Sequence, residues 1–212
     1  MRISDSPNQQ SRPWKRAAVR HEEPCGEDDL LVRIAAGSQS ALSELIARHG
    51  RGLRIFAARY LGNAGDAEDV VQEVFVTVWK QAARFDPARG RASTWLYRIT
   101  ANRCIDQRRR RALRSFIGLD DIRDEVASSE ADAETTTAAR QELAIVRDGL
   151  SRLPERQRMA VLLRAVGDLD IAAIAEVMGS SVGSAEQLLV RGRRALRDHL
   201  AMAAVGRERK SS

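Results

Sequence analysis

The sequence predicts an all-α chain of two small helical domains joined by a flexible acidic linker, and three observations carry that expectation. Ala and Arg, both strong helix formers, are abundant, while aromatics make up only 4% of residues, so the cores must be built from Leu, Val, Ile and Ala. Apolar residues recur at i, i+3, i+4 and i+7 over most of the chain, the spacing of one helix face. Between residues 113 and 137 that period stops, and Asp120, Asp121, Asp124, Glu125, Glu130, Asp132 and Glu134 face Arg123 alone. A length of 212 residues suffices for two modest cores on either side of such a linker.

Composition also bounds function. The formal charge of +6 is compatible with a polyanionic partner, but only the placement of the charges can decide. All but Lys15, Lys80 and Lys210 of the 35 basic residues are Arg, the side chain suited to bidentate phosphate contacts. Cys25 and Cys104 are too few for a disulfide framework or a zinc site, and His21 with Cys25 lacks the further ligands zinc requires, so no metal or cofactor is expected. No apolar run approaches the roughly 20 residues needed to span a bilayer, and the polar N-terminus lacks a signal-peptide core, so a cytoplasmic protein without direct membrane insertion is expected. Nor is an enzyme expected: there is no phosphate-cradling glycine loop, and His21, His49 and His199 have no evident nucleophile beside them.

The elements follow in order. Residues 1–27, rich in Ser, Gln, Pro, Arg and Glu, read as a disordered tail in which Trp14 sits among Arg12, Lys15 and Arg16. The first domain spans 28–112. Its first helix carries Leu30, Leu31, Ile34 and Ala35; Gly37 and Ser38 end it and cap a second, which holds Ala41, Leu42, Leu45 and Ile46 and bends near Gly50 and Gly52 on its way to Leu61. After a turn at 62–66, with Asp66 as N-cap, a third helix runs from about 67 to 83. Val71, Val74, Phe75 and Val78 define its core face, leaving Asp69, Gln72, Glu73 and Val76 on the opposite side. Residues 85–91 must be a loop, since Pro87 and Gly90 interrupt the period. Ser93 then caps a fourth helix to about Arg111, on which Arg98, Asn102, Ile105 and Arg109 share a stripe. Arg103 and the run Arg108 to Arg111 lie close by, and adjacent arginines repel one another unless phosphates or counterions neutralise them, which points to nucleic acid.

Beyond the linker, the second domain covers 138–203 and a short tail 204–212. Leu143, Ile145, Val146 and Leu150 open it, and Pro154 starts a helix carrying Met159, Val161, Leu162, Leu163 and Val166. A short helix with Ile171, Ile174, Ala175 and Met178 stops at Gly179. Ser180 or Ser181 caps a longer one to about Leu200, with Ala185, Leu188, Leu189, Leu196 and Leu200 inward. This is a helix-turn-helix pattern, and Arg191, Arg193, Arg194 and Arg197 load its second helix with positive charge.

In that order, Asp66 to Trp79, Trp95 to Arg110 and Leu153 to Arg197 resemble the extracytoplasmic-function (ECF) group of bacterial RNA polymerase sigma factors. The likeness covers about residues 28–112, similar to sigma region 2, and 138–200, similar to sigma region 4. It implies a protein that binds core RNA polymerase and directs promoter-specific initiation, in a stress or environmental response under an anti-sigma factor. By this resemblance Asp69, Gln72, Glu73 and Val76 meet the clamp helices of the largest polymerase subunit. The loop with Phe85, Asp86, Arg89 and Arg91 captures a base flipped from the proximal promoter element, beside Asn102. Arg98, Arg103, Arg108 and Arg109 serve as phosphate contacts that position rather than specify.

The distal promoter element falls to the second helix of the helix-turn-helix, with Ser181, Ser184, Glu186, Gln187, Val190, Arg191, Arg193 and Arg194. Here the chain departs from the family pattern: Glu186 and Leu188 stand where many members carry Lys and Arg, and Gly192 replaces an Ala. The rival reading is a stand-alone helix-turn-helix regulator that acts without polymerase, which explains the second domain but not the acidic helix, loop and arginine helix of the first.

Overall fold

A computed structural model describes residues 26–117 and 137–211. Trp14, the His21 and Cys25 pair, and the acidic residues of 118–136 lie outside the described residues. The described elements are the helices α1 (Glu27–Ala35), α2 (Gln39–Leu61), α3 (Ala64–Gln81), α4 (Ala92–Phe116), α5 (Thr137–Arg152), α6 (Glu155–Ala165), α7 (Ile171–Val177) and α8 (Val182–Ser211). Two single 3-10 turns, Ala82–Arg84 and Pro87–Arg89, connect α3 to α4, and no strand occurs among the described residues.

In the first half, α2, α3 and α4 pack on one another with α1 across them. Ser38 caps α2 by accepting a hydrogen bond from the Ala41 amide at 3.3 Å. Helix α2 runs unbroken through Gly50 and Gly52, with Leu45, Leu53, Phe56 and Tyr60 buried on both sides of the glycines and anchoring it to the core. The cap of α3 also falls three residues earlier than expected. Asn63 is the N-cap, and its Oδ1 accepts from the Asp66 amide at 2.9 Å, so Asp66 lies inside the first turn, where a carboxylate favours the positive end of the helix.

Ser93 is likewise inside its helix rather than at its cap. The chain is already helical at Ala92, and Asp28 of α1 receives the Ala92 amide at 3.3 Å. At its far end α4 continues to Phe116, so the first residues assigned to the linker are helical. Helix α8 similarly runs to Ser211, past the stop expected near Leu200.

The second half packs α8 against α5, α6 and α7. Asp170 caps α7 by accepting from the Ala173 amide at 2.8 Å, and Ser181 receives the Ser184 amide at 3.2 Å at the start of α8. Gly192 faces α6, where a Cβ would lie 2.7 Å from Val161 Cγ2 and 3.1 Å from the Gln157 carbonyl, so the close crossing of α8 over α6 requires its absence.

The two halves are packed together. Their buried side chains form one contiguous cluster, from Leu30 through Tyr97 and Cys104 to Leu163 and Ala185. Contacts run from α2 to α5 and α6 and from α4 to α7. At the centre, Phe56 lies 5.4 Å edge-on to the Tyr97 ring, and the Tyr97 hydroxyl donates to the Val166 carbonyl at 3.3 Å. A Cβ at Gly167 would meet the Leu163 carbonyl at 2.7 Å and Tyr97 Cζ at 3.1 Å, so glycine allows the corner after α6 to reach that ring.

Candidate nucleic-acid interface

Arg98, Asn102, Ile105 and Arg109, the stripe legible in the sequence, line one cleft of about 650 Å³ together with Tyr60, Ala101 and Arg108. Helical spacing puts them there: Ala101 and Cys104 are buried on the core side of α4, and the stripe follows one step around. The opposite wall comes from the second half, with Glu155, Arg156 and Met159 of α6 and Glu176 to Gly179 at the end of α7. Two ion pairs cross it, Arg98 Nη1 to Glu176 Oε1 at 3.3 Å and Arg108 Nη2 to Glu155 Oε1 at 2.8 Å. The loop expected at 85–91 does not line this cleft, although a Cβ on Gly90 would lie 3.7 Å from Glu176 Oε2. Phe85 packs on Trp95 with ring centroids 5.7 Å apart, and Asp86 accepts from the Ala88 amide at 3.0 Å. Arg89 closes the second 3-10 turn, and Arg91, exposed, is the residue from which α4 starts.

The arginine run is less naked than the sequence implies. Besides Arg108 with Glu155, Arg110 lies 3.9 Å from Glu73 and Arg111 3.7 Å from Asp66, so carboxylates of the chain itself face three of the four. Arg103 turns away from the cleft. It donates to Thr77 Oγ1 at 3.0 Å and pairs with Glu73 at 3.4 Å, fastening α4 to α3.

That fastening divides the α3 stripe. Glu73 points towards α4, whereas Gln72 and Val76 line a second groove of about 890 Å³ between α2 and α3 with Leu42, Ile46, Phe75 and Trp79. Ile46, Val76 and Trp79 are 41%, 52% and 38% exposed, which makes this groove an apolar surface open to solvent. Asp69 is exposed one turn away on α3.

On α8 the inward set is Ala185, Gly192 and the half-buried Leu188, Leu189 and Leu196. Glu186, Gln187, Val190, Arg191, Arg193 and Arg194 are exposed, and Gln187 accepts from Arg191 at 3.4 Å. Ser181 and Ser184 sit together in the first turn, joined by the capping bond.

Sequence reasoning missed Arg158 and Tyr60. Arg158 is 8% exposed, and its guanidinium donates to the Tyr60 carbonyl at 3.1 Å, the Ser151 carbonyl at 2.6 Å and the Leu153 carbonyl at 3.2 Å. One cation thereby satisfies carbonyls at the C-terminal ends of α2 and α5, where helices leave acceptors unpaired. Burial lowers its pKa, and Arg108 lowers it further; both guanidinium groups lie over the Tyr60 ring, at 5.6 Å for Arg108 and 6.0 Å for Arg158. An arginine before the apolar run from Met159 to Leu163 was the available signal, but the partner that joins the halves, Tyr60, lies 98 positions away. Cys104 is fully buried, and desolvation pushes its thiol up to about 12, which favours the protonated form.

The family model for Sigma-70 region 2 matches residues 45–114, and that for Sigma-70 region 4 matches residues 143–196. The RNA polymerase sigma factor CnrH of Cupriavidus metallidurans is 35% identical over 170 residues, which is 77% of this chain and 88% of CnrH. The ECF RNA polymerase sigma factor SigE of Mycolicibacterium smegmatis is 32% identical over 183 residues, 85% of this chain and 69% of that protein. Among solved structures, CnrH in complex with the cytosolic domain of CnrY superposes with a TM-score of 0.63 at 31% identity, over 83% of this chain and 97% of that one. A match to region 2 as well as region 4 disfavours the stand-alone regulator, which needs only the second. With both regions present in order and relatives covered over most of their length, the chain belongs to the ECF group of bacterial RNA polymerase sigma factors, initiation factors rather than enzymes.

Proposed function

We propose how this sigma factor divides its work among its surfaces. The first domain binds the clamp helices of core RNA polymerase through Asp69, Gln72, Glu73 and Val76, with the apolar groove of α2 and α3 supplying buried area and the carboxylates orientation and on-rate. It holds the melted proximal promoter strand through Arg98, Asn102, Arg108 and Arg109, with Phe85, Asp86, Arg89 and Arg91 at the loop; Arg103 contributes by holding α4 in place. The second domain reads the distal element from the exposed face of α8. The protein works in the cytoplasm; no described helix is long and apolar enough to cross a membrane. An anti-sigma protein holds it inactive by covering the α2 and α3 groove, a reading supported by the likeness to CnrH, which is seen bound to the cytosolic domain of CnrY.

The observation that carries this division is the gathering of Arg98, Asn102, Ile105 and Arg109 into one cleft, away from the open groove that Val76 and Trp79 share. Purified core polymerase mixed with the protein should initiate at a defined set of promoters, read by sequencing the transcripts. Asp69→Arg with Val76→Asp, which leaves the Glu73 bridge to Arg103 in place, should abolish co-elution with core polymerase while the free protein stays folded. Co-elution and initiation at wild-type levels would overturn the assignment of that face.

A further inference from the structure

The groove between α2 and α3 is apolar along its floor and acidic at one end. Asp69, Gln72, Val76 and Trp79 follow i, i+3, i+7 and i+10 on α3, so the exposed line of Val76 and Trp79 runs to an exposed carboxylate. Arg54, the one charged side chain lining the groove, faces Glu68 at 3.9 Å, which balances its charge. The chain enters the first domain beside this groove. Glu27, the first residue of α1, lies 3.1 Å from Nε2 of His49 on α2, next to the groove residue Gly50 and one turn from Ile46. Just N-terminal to that anchor the sequence carries Arg12, Lys15, Arg16 and Arg20 around Trp14, the one Phe, Tyr or Trp before α1, with no acid between Asp5 and Glu22. We propose that residues 12–20 of this chain dock in the α2 and α3 groove, with Trp14 against Val76 and Trp79 and the neighbouring cations towards Asp69.

Reach and tethering favour the chain's own segment over a separate molecule. From Gly26 back to Trp14 an extended chain covers about 40 Å, whereas the groove from Leu42 to Arg54 is about 18 Å long along α2. The tether gives the segment an effective concentration of about 1 mM, so a contact too weak to persist between separate molecules still fills the groove. An intrinsic affinity of roughly 0.1–0.5 mM would weaken any competitor for that surface by about three- to tenfold. The aromatic supplies the buried area, and the cations supply orientation, since exposed pairs contribute little on their own. For initiation, the consequence rests on the reading of this groove as the polymerase site: the segment competes there with the clamp helices and is displaced when they bind.

The test is hydroxyl-radical footprinting of the free full chain, read by mass spectrometry at Trp79, with the half-buried Trp95 as internal reference. Trp14→Ala with Lys15→Glu and Arg16→Glu should raise labelling of Trp79 by at least about twofold and leave Trp95 unchanged. Arg207→Glu with Lys210→Glu, which reverses as many charges near the other end of the chain, should leave both as in the wild type. Equal labelling of Trp79 in the wild type and the Trp14 variant, or the same rise in the charge control, would overturn the proposal. So would protection that disappears on dilution from about 50 to about 1 µM, since a second copy and not the tethered segment would then fill the groove. Titration of core polymerase keeps the two readings apart. The Trp14 variant should bind it about three- to tenfold more tightly than the wild type does. Raised labelling with unchanged polymerase affinity would support the docked segment and count instead against the groove as the polymerase site.

Discussion

Arg158→Met removes a cation that is the one buried charge among the described residues and that links the two halves, and its cost follows from the structure. The guanidinium serves three carbonyls, Tyr60 at the end of α2 and Ser151 and Leu153 at the end of α5, and Met fills comparable volume without serving any of them. Hydrogen bonds from a charged donor contribute about 1.5–3 kcal/mol each, so three would sum to several kcal/mol. Burial of the cation offsets part of that, as the lowered pKa of Arg158 records, and the net loss expected is about 3 kcal/mol. Equilibrium urea unfolding measures it. Hydrogen exchange locates it, with faster exchange expected in the last turn of α2 and at the turn between α5 and α6 while α3 is unaffected. Arg158→Lys keeps the charge but cannot reach three carbonyls with one ammonium, so it should fall between Met and wild type. A loss below about 1 kcal/mol with unchanged exchange at the end of α2 would refute the view that this residue joins the halves.

Other consequences follow from burial and close packing. Gly192→Ala gains about 1 kcal/mol of helix propensity but places a methyl 2.7 Å from the stiff Val161 side chain, and overpacking costs about 1–3 kcal/mol, so thermal unfolding should show net destabilisation. The Cys104 thiol is raised from 9.0 to about 12, so it should resist alkylation at pH 8 in the native state and react once urea unfolds the chain. A raised folded pKa gives stability that is complete below the unfolded value, so stability should fall as pH climbs from 9 towards 12, and Cys104→Ala should shrink that fall; Tyr97, raised from 10.0 to about 12, adds to it from pH 10 upward. Asn63→Ala leaves the Asp66 amide without its cap and should cost about 1 kcal/mol, read from the urea midpoint.

Much of this was legible because helices write their faces into the sequence locally. The stripe Arg98, Asn102, Ile105 and Arg109 and the inward set of α8 follow from spacing alone, and the structure gathers each where the spacing implies. Caps were less legible: Asn63, Asp66 and Ser93 are all competent capping residues, and only the entry path of the chain chooses among them. The partners of the arginines were not legible at all. Glu73 with Arg103 spans thirty positions and Glu176 with Arg98 spans 78, and no local pattern encodes a pair that only tertiary packing brings together.

That gap changes how the charge run should be understood. Four adjacent arginines look like an argument for phosphate because nothing nearby in the sequence opposes them, yet Glu73, Asp66 and Glu155 face three of them in the folded chain. Two of these acids belong to α3 of the same domain, and they stabilise the contact of α3 with α4 without any nucleic acid. Only Glu155 comes from the other half, and like Glu176 with Arg98 it meets its arginine across the cleft. The same residue type therefore does two different things on one helix. Arg103, Arg110 and Arg111 face acids of α3, while Arg98, Arg108 and Arg109 line the cleft between α4 and the second half. Glu73→Gln, which removes two exposed pairs of 3.4 and 3.9 Å to Arg103 and Arg110, should cost no more than about 1 kcal/mol, read from the urea midpoint.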